Sequence, residues 1–355
     1  MTLNGSIILD GMLWTSTDIL HLNMDDIARM PEWKQEIFLF LQQWFGCSDT
    51  ISVHTSGSTG KPQQIYLSKS TMRHSAQATN QYFRLNEDSH ALLCLSAGYI
   101  AGKMMLVRAI EGAYHLHTIA PTSVPLRNDV GHIDFCAMVP MQVEETIRTN
   151  GKNAFKRIKQ LIIGGGAISH QLEQEIAQLS TICYATYGMT ETASHVALRI
   201  IDGSDSAFLA LPGIHFSTDK RQCLIIDAPE LLNHPIVTND IVELSEDSSV
   251  AFRWKGRYDF VVNSGGVKLF PETIEKKIAP LMVDRSFYLT KRPDNRLGEM
   301  LILVIEGTPY TDKETQKLMH QIASAVAPYE KPRDIVFLNH FQRSGSGKII
   351  RLKSA

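Results

Sequence analysis

From residue 51 to about residue 190 the chain alternates strand-like and helix-like runs, and that alternation limits the fold more than any other feature. Strand-like runs fall at 91–95, 115–119, 135–139, 160–163 and 181–186, with helical patterns at 69–83, 102–110, 141–149 and 169–179 between them. Such alternation predicts a parallel α/β sheet covered on both faces. Ligands of these sheets bind beyond the carboxyl ends of the strands. Two glycine-rich segments, Gly57–Gly60 and Gly164–Gly166, both follow strands, so both are candidates for the ligand end.

Upstream, Trp33, Ile37, Phe38, Leu41, Trp44 and Phe45 recur at helical spacing and predict an amphipathic helix over 31–45, followed by a short strand at 51–54. After residue 200 the strands shorten: 223–227, 236–238, 241–244 and 250–254. Beyond Asp259 an α+β module of helix 272–279, strands 286–289 and 300–305, helix 313–325 and strand 335–338 follows, with a boundary near 256–260. Thirty-five basic against 37 acidic residues leave a net charge of −2, which argues against nucleic acid as a partner. No apolar run approaches membrane-spanning length, and the first residues lack the pattern of a secretory signal. Five cysteines without a CxxC pair predict reduced, buried thiols and a cytoplasmic location.

Four segments could carry chemistry. His54-Thr55-Ser56-Gly57-Ser58-Thr59-Gly60-Lys61-Pro62 offers backbone N–H groups and hydroxyls to a phosphate, or is a surface turn. It is no P-loop, because only two residues separate its glycines and proline follows Lys61. The run from Tyr187 through Gly188, Met189, Thr190 and Glu191 ends a strand with a carboxylate suited to Mg²⁺ beside phosphate oxygens, and with an aromatic face for a base; the alternative is a solvated turn. Gly256-Arg257-Tyr258-Asp259, then Ser264-Gly265-Gly266, reads locally as a hinge and a glycine turn. Lys348 lies on a glycine-rich loop near the C-terminus, where a lone lysine is ordinarily solvated.

Taken in order, TSGSTGKP, GGGA, YGMTE, Thr238-Asn239-Asp240, GRYD, SGG and GSGK resemble the acyl-adenylate-forming ligase superfamily, from about residue 51 to the C-terminus. The resemblance implies an α/β fold with a large N-terminal domain, 1–258, shortened at its start, and a small mobile α+β domain, 259–355. It implies ATP, Mg²⁺ and CoA as cofactors and co-substrate. Thr55, Ser56, Gly57, Ser58, Thr59, Gly60 and Lys61 would hold phosphate, and Thr190 with Glu191 the α-phosphate and metal. Gly164, Gly165, Gly166, Ala167 and Tyr187 would flank adenine, with Gly188 and Met189 beside them. Asp240 and Arg257 would hold the ribose, Lys348 would be the catalytic lysine, Asp259 the hinge, and Gly265 and Gly266 would line the thiol tunnel.

The chain departs from the family in its short N-terminal region, in Asn239 within the Thr-x-Asp segment, in Gln63 after Pro62, and in Tyr99 where a histidine is usual. Within the family it looks most like the o-succinylbenzoate–CoA ligases of menaquinone biosynthesis. That likeness implies a second substrate carboxylate needing a cation: Lys103 or Arg108, unless these face solvent, with Tyr99 and His195 as further pocket residues. For His195 the reading preferred to substrate contact is a packing role. His115 and His117, two apart on a strand, read as structural. Other readings are another aryl- or short-acyl-CoA ligase, an enzyme loading a carrier protein, and a non-catalytic binder. A homodimer is compatible with all of them.

Overall fold

A computed structural model describes residues 5–54, 64–126, 131–245, 248–282, 284–343 and 349–352. The chain packs into two units: Met1–Ile168, Leu172–His215 and Asp227–Pro235 form one, and Ser169–Gln171, Phe216–Ile226 and Ile236–Ala355 the other.

The first unit opens with β1 (Ser6–Leu9) and β2 (Met12–Thr15), then helices α1 (Ser16–His21), α2 (Met24–Ala28) and α3 (Glu32–Phe45). A hairpin of β3 (Thr50–His54) and β4 (Gln64–Ser68) follows, and its connection is residues 55–63. Next come α4 (Lys69–Phe83), β5 (His90–Leu93), α5 (Ile100–Gly112), β6 (His115–Thr118), β7 (Ile133–Met138), α6 (Pro140–Asn150), β8 (Ile158–Ile163), α7 (His170–Ile176), β9 (Ile182–Gly188), β10 (His195–Ile200) and β11 (Phe208–Ala210). Their order in the sheet is β11-β10-β9-β8-β7-β5-β6-β1-β2. Strands β9, β8, β7, β5, β6 and β1 run parallel, while β10 pairs antiparallel with β9, β11 with β10, and β2 with β1.

The expected alternation is present, with element ends shifted by at most three residues and the helix 69–83 unchanged. The local chemistry explains several of those ends. Ser68 accepts from the Thr71 amide at 2.9 Å and starts α4, and Arg84 in the left-handed region ends it. Pro140 opens α6, where a missing N–H is harmless. One side of the sheet buries Leu92, Cys136, Met138, Leu161 and Ile163 with Val143 of α6 and Leu172 and Ile176 of α7. Before the expected helix at 31–45 the structure adds a strand: β1 pairs with β6 through Ile8↔His115, and Asp10 fixes the junction by accepting from the Thr118 amide and hydroxyl, both at 2.7 Å.

Strand β5 is the switch point. The chain leaves it toward β6 on one side and returns to β7 on the other, so the loops after β5 and β7 part and leave a crevice. Segments 94–99, 139–140, 164–167 and 189–194 all emerge at that carboxyl end.

The second unit holds β12 (His215–Thr218), β13 (Cys223–Asp227), β14 (Ile236–Ser245) and β15 (Ser248–Arg257), then β16 (Val262–Ser264), β17 (Val267–Leu269), α8 (Pro271–Ile278), β18 (Phe287–Asp294), β19 (Gly298–Glu306), α9 (Asp312–Ala325) and β20 (Asp334–Leu338). The expected strands 236–238 and 241–244 are one strand, because Asn239 and Asp240 continue the ladder. A separate small sheet, β17-β16-β19-β18 with β20 beside β19, packs Leu289, Leu301 and Leu303 on Ile274, Ile278 and Ile322 of α8 and α9. Of the five cysteines, Cys47 is exposed and the other four are buried, so the expectation of buried thiols holds for four. No described helix is long and apolar enough to cross a membrane.

Candidate active site

The carboxyl ends of β8 and β9 carry two of the sequence candidates side by side. Gly164–Ala167 leaves β8, with the Gly164 amide donating to the Met138 carbonyl at 3.1 Å. Tyr187 is half-buried with its ring edge-on to Phe208, 5.9 Å between centroids. Gly188 sits opposite His195 across the ladder, where a Cβ would come within 2.4 Å of the Ser194 carbonyl oxygen, so only glycine fits. Thr190–Thr192 form a single 3-10 turn that leaves Glu191 exposed. Among the described residues no three His, Cys, Asp or Glu side chains are arranged to hold a metal. A lone carboxylate fits Mg²⁺ that takes its remaining ligands from phosphate and water.

Helix α5 separates two candidate cations. Gly102 through Ile110 are all buried, so the helix has no solvated face and every charge on it needs a partner. Lys103 donates to the Ala97 and Gly98 carbonyls at 2.5 and 3.2 Å. It holds the turn after β5, which Glu36 grips through the Ser96 hydroxyl and the Gly98 amide. Burial lowers its pKa and Glu36 partly restores it. Tyr99, at the start of the helix, is 67% exposed.

Arg108 is different. It is 2% exposed, bonds the Ser194 hydroxyl and reaches the Met105 sulfur at 3.6 Å, and among the described residues its Nε has no hydrogen-bond partner. Among the described residues no carboxylate pairs with it, and burial lowers its pKa to about 10. His195 lies in the same network, with Nδ1 3.2 Å from the Ser194 hydroxyl and Nε2 3.5 Å from that of Thr79. Burial first and Arg108 second push its pKa well below the ordinary value, so the ring is neutral at pH 7. Among the described residues the buried Tyr114 hydroxyl also lacks a hydrogen-bond partner, and burial raises its pKa. The structure thus joins Arg108 to His195 through Ser194, a residue the sequence reading passed over although it adjoins His195.

In the second unit Asp240 and Arg257 are opposite one another on β14 and β15, with the guanidinium 3.9 Å from Asp240 Oδ1. Arg257 also reaches Asp259 at 2.9 Å, within the turn Tyr258–Phe260. Gly265 and Gly266 make the two-residue turn between β16 and β17, both with positive φ as such a hairpin requires. Thr55, Ser56, Gly57, Ser58, Thr59, Gly60, Lys61 and Lys348 lie outside the described residues.

The family described as AMP-binding enzyme matches residues 50–229. This chain belongs to that family. It is a ligase of the AMP-forming acyl-CoA synthetase type, and it is 34% identical to an acyl-CoA synthetase (AMP-forming)/AMP-acid ligase II-like protein from Dyadobacter fermentans, covering 92% of this chain and 96% of that one with a TM-score of 0.61. A 2-succinylbenzoate–CoA ligase of Lactococcus lactis is 24% identical over 85% of this chain and 69% of its own length. The o-succinylbenzoate coenzyme A synthetase of Bacillus subtilis, solved with ATP and magnesium, shares the fold at 17% identity and a TM-score of 0.71, covering 84% of this chain and 68% of that one.

One buried acid of the ligase lies close to Gly256. Glu272 is 8% exposed, and burial, with help from Glu275, raises its pKa to about 7 against the lowering effect of Arg351. A carboxyl whose folded pKa exceeds its unfolded 4.5 favours folding when protonated. That contribution is complete below pH 4.5 and is lost as pH rises through 7, amounting to about 3 kcal/mol by pH 8. Glu272→Gln is therefore expected to raise the melting temperature at pH 8 and leave it nearly unchanged at pH 4.5. Equal shifts at both pH values would count against the buried charge.

Proposed function

We propose that this ligase activates o-succinylbenzoate with ATP and transfers it to coenzyme A, as part of menaquinone biosynthesis. In the first step a carboxylate oxygen attacks the α-phosphorus of ATP, the bond to the bridging oxygen breaks, and pyrophosphate leaves. In the second the CoA sulfur attacks the acyl carbon, its proton is released, and AMP departs. Charge is the obstacle in the first step, where two anions must meet.

In this reading Thr55, Ser56, Gly57, Ser58, Thr59, Gly60 and Lys61 hold the β- and γ-phosphates, and Thr190 donates to the α-phosphate. Glu191 would hold Mg²⁺, which neutralises phosphate charge when bound. Gly164–Ala167 and Tyr187–Met189 bound the adenine slot, Asp240 and Arg257 take the ribose, and Lys348 bridges the acid and the α-phosphate. Rotation of 259–355 about Asp259 then exchanges Lys348 for the Ser264–Gly266 turn. The hydrogen bond from Thr273 to the Lys255 carbonyl crosses that hinge and would have to open.

The observation that carries the choice of acid is Arg108. A guanidinium buried without a carboxylate is costly, and a dicarboxylic substrate keeps one carboxylate free after the other is activated. The relatives named 2-succinylbenzoate–CoA ligase support the same choice. The test is pyrophosphate release with ATP, Mg²⁺ and CoA against o-succinylbenzoate, benzoate, a coumarate and short fatty acids. Release with o-succinylbenzoate and its CoA thioester by mass are expected. Turnover confined to a monocarboxylic acid would overturn the choice and keep the reaction class.

A further inference from the structure

We propose that Trp254 is a positioning residue for ATP: its indole N–H fixes the Asp240 carboxylate that receives the ribose hydroxyls, and one extra residue in β15 brings it there. The inference rests on the assignment of Asp240 to the ribose.

Strands β14 and β15 pair through Leu244↔Phe252 and Val242↔Trp254, then shift register to Ile241↔Gly256 and Asp240↔Arg257. In a regular strand Trp254 and Arg257, three apart, would point to opposite faces. The bulge sets Lys255 and Gly256 together against one residue of β14, which moves the alternation by one. Asp240, Val242, Trp254 and Arg257 consequently share a face. Trp254 Nε1 donates to Asp240 Oδ1 at 3.2 Å, while the Asp240 amide donates to the Thr238 hydroxyl at 3.0 Å.

The bulge is itself held in place. The Lys255 carbonyl accepts from the Thr273 hydroxyl at 2.7 Å, and the Lys255 ammonium pairs with Glu243. Residue 256 must be glycine, since its φ is +151° and a Cβ would stand 2.7 Å from Glu272 Oε2. The effect on chemistry follows from torsional freedom. The terminal torsion of an aspartate is broad, so a carboxylate meant for two adjacent hydroxyls needs a third group to set its plane. Asp240 is 8% exposed, which leaves water little part in doing so. The indole N–H sets that plane by taking one oxygen, and this function is separable from the packing of the ring.

Trp254→Phe keeps an aromatic ring and removes the donor. It is expected to raise KM for ATP about 10-fold, with a smaller change in kcat, as for one lost hydrogen bond to a charged group. The preference for ATP over 2′-deoxyATP and 3′-deoxyATP in kcat/KM is expected to fall by a similar factor. A purely structural loss would lower turnover of all three nucleotides alike. If phenylalanine impairs folding, benzothienylalanine at position 254, which replaces the N–H by sulfur in the same shape, is expected to give the same result. Asp240→Asn separates the two levels of the argument. Preference lost in Asp240→Asn but retained in both position-254 variants overturns the role of Trp254; preference retained in Asp240→Asn overturns the ribose assignment beneath it.

Discussion

Lys348→Ala is expected to slow adenylate formation by ~10²–10³-fold, while thioester formation from supplied acyl-adenylate stays within ~3-fold of the parent. The asymmetry follows from where charge collects. In the first step the attacking carboxylate, the α-phosphate and the departing pyrophosphate are all anionic, and a compact ammonium is the group that can stand between them. In the second step a neutral thiol attacks an acyl carbon and AMP leaves, so that cation has no comparable task. The described residues on either side of 344–348 are held in place. Arg343 and Ile349 form an antiparallel bridge, the Ile350 amide donates to the Gln342 carbonyl at 2.8 Å, and Arg343 pairs with Glu306 at 2.8 Å. On the far side Arg351 makes two 2.8 Å bonds to Glu275. Stopped-flow assays of the two half-reactions decide the matter, and equal losses in both would remove Lys348 from its assigned place.

The alternation of strands and helices from residue 51 onward could be read because each parallel strand is covered on both faces and forms a short apolar run. The N-terminal hairpin could not. Strand β1 is four residues long, and its parallel partner β6 lies more than a hundred residues away, so no local pattern announces it. Asn239 and Asp240 look like a break in a strand, yet β14 runs through them, with Asp240 paired to Arg257 of β15 and Val237 and Ile241 paired to β13 on the other side. The candidate site divided in the same way. Tyr187, Thr190 and Glu191 could be named from a motif that ends a strand, and Asp240 and Arg257 from the family resemblance. Lys103 and Arg108 could not be ranked, because both sit five residues apart on one helix and periodicity offered each a solvated face. Only packing shows that α5 is buried throughout Gly102–Ile110, that Lys103 is satisfied by carbonyls, and that Arg108 is not. Trp254 escaped notice for a related reason: three residues from Arg257, it reaches Asp240 only through a bulge that sequence does not reveal.

The same packing sets the second large effect. Arg108→Met is expected to lower kcat/KM for o-succinylbenzoate by ~10²-fold or more while raising the melting temperature of the free enzyme, and to leave turnover of a monocarboxylic acid such as benzoate, if any is measured, within ~3-fold. The stability half comes from linkage. The folded pKa of about 10 lies below the unfolded 12.5, so the charged form is disfavoured by folding at every pH below about 10. At pH 7 this costs about 3 kcal/mol, and methionine removes the charge while filling much of the same space. Part of the gain is offset by the lost bond to Ser194, so a rise of about 5 °C is the scale to look for. The activity half comes from the substrate. A free carboxylate that pairs with Arg108 must leave water, and without the guanidinium the neighbouring described groups do not return that energy: His195 is neutral and Lys103 is held by Ala97 and Gly98. Arg108→Lys should fall between, because an ammonium restores charge but not the planar fork. Melting curves with and without o-succinylbenzoate add a readout independent of turnover, since a ligand that binds only the folded state raises the transition. In the parent the acid should raise it, and in Arg108→Met it should not. A loss shared equally by dicarboxylic and monocarboxylic acids, without a gain in stability, would mean that Arg108 supports the fold and takes no part in choosing the acid.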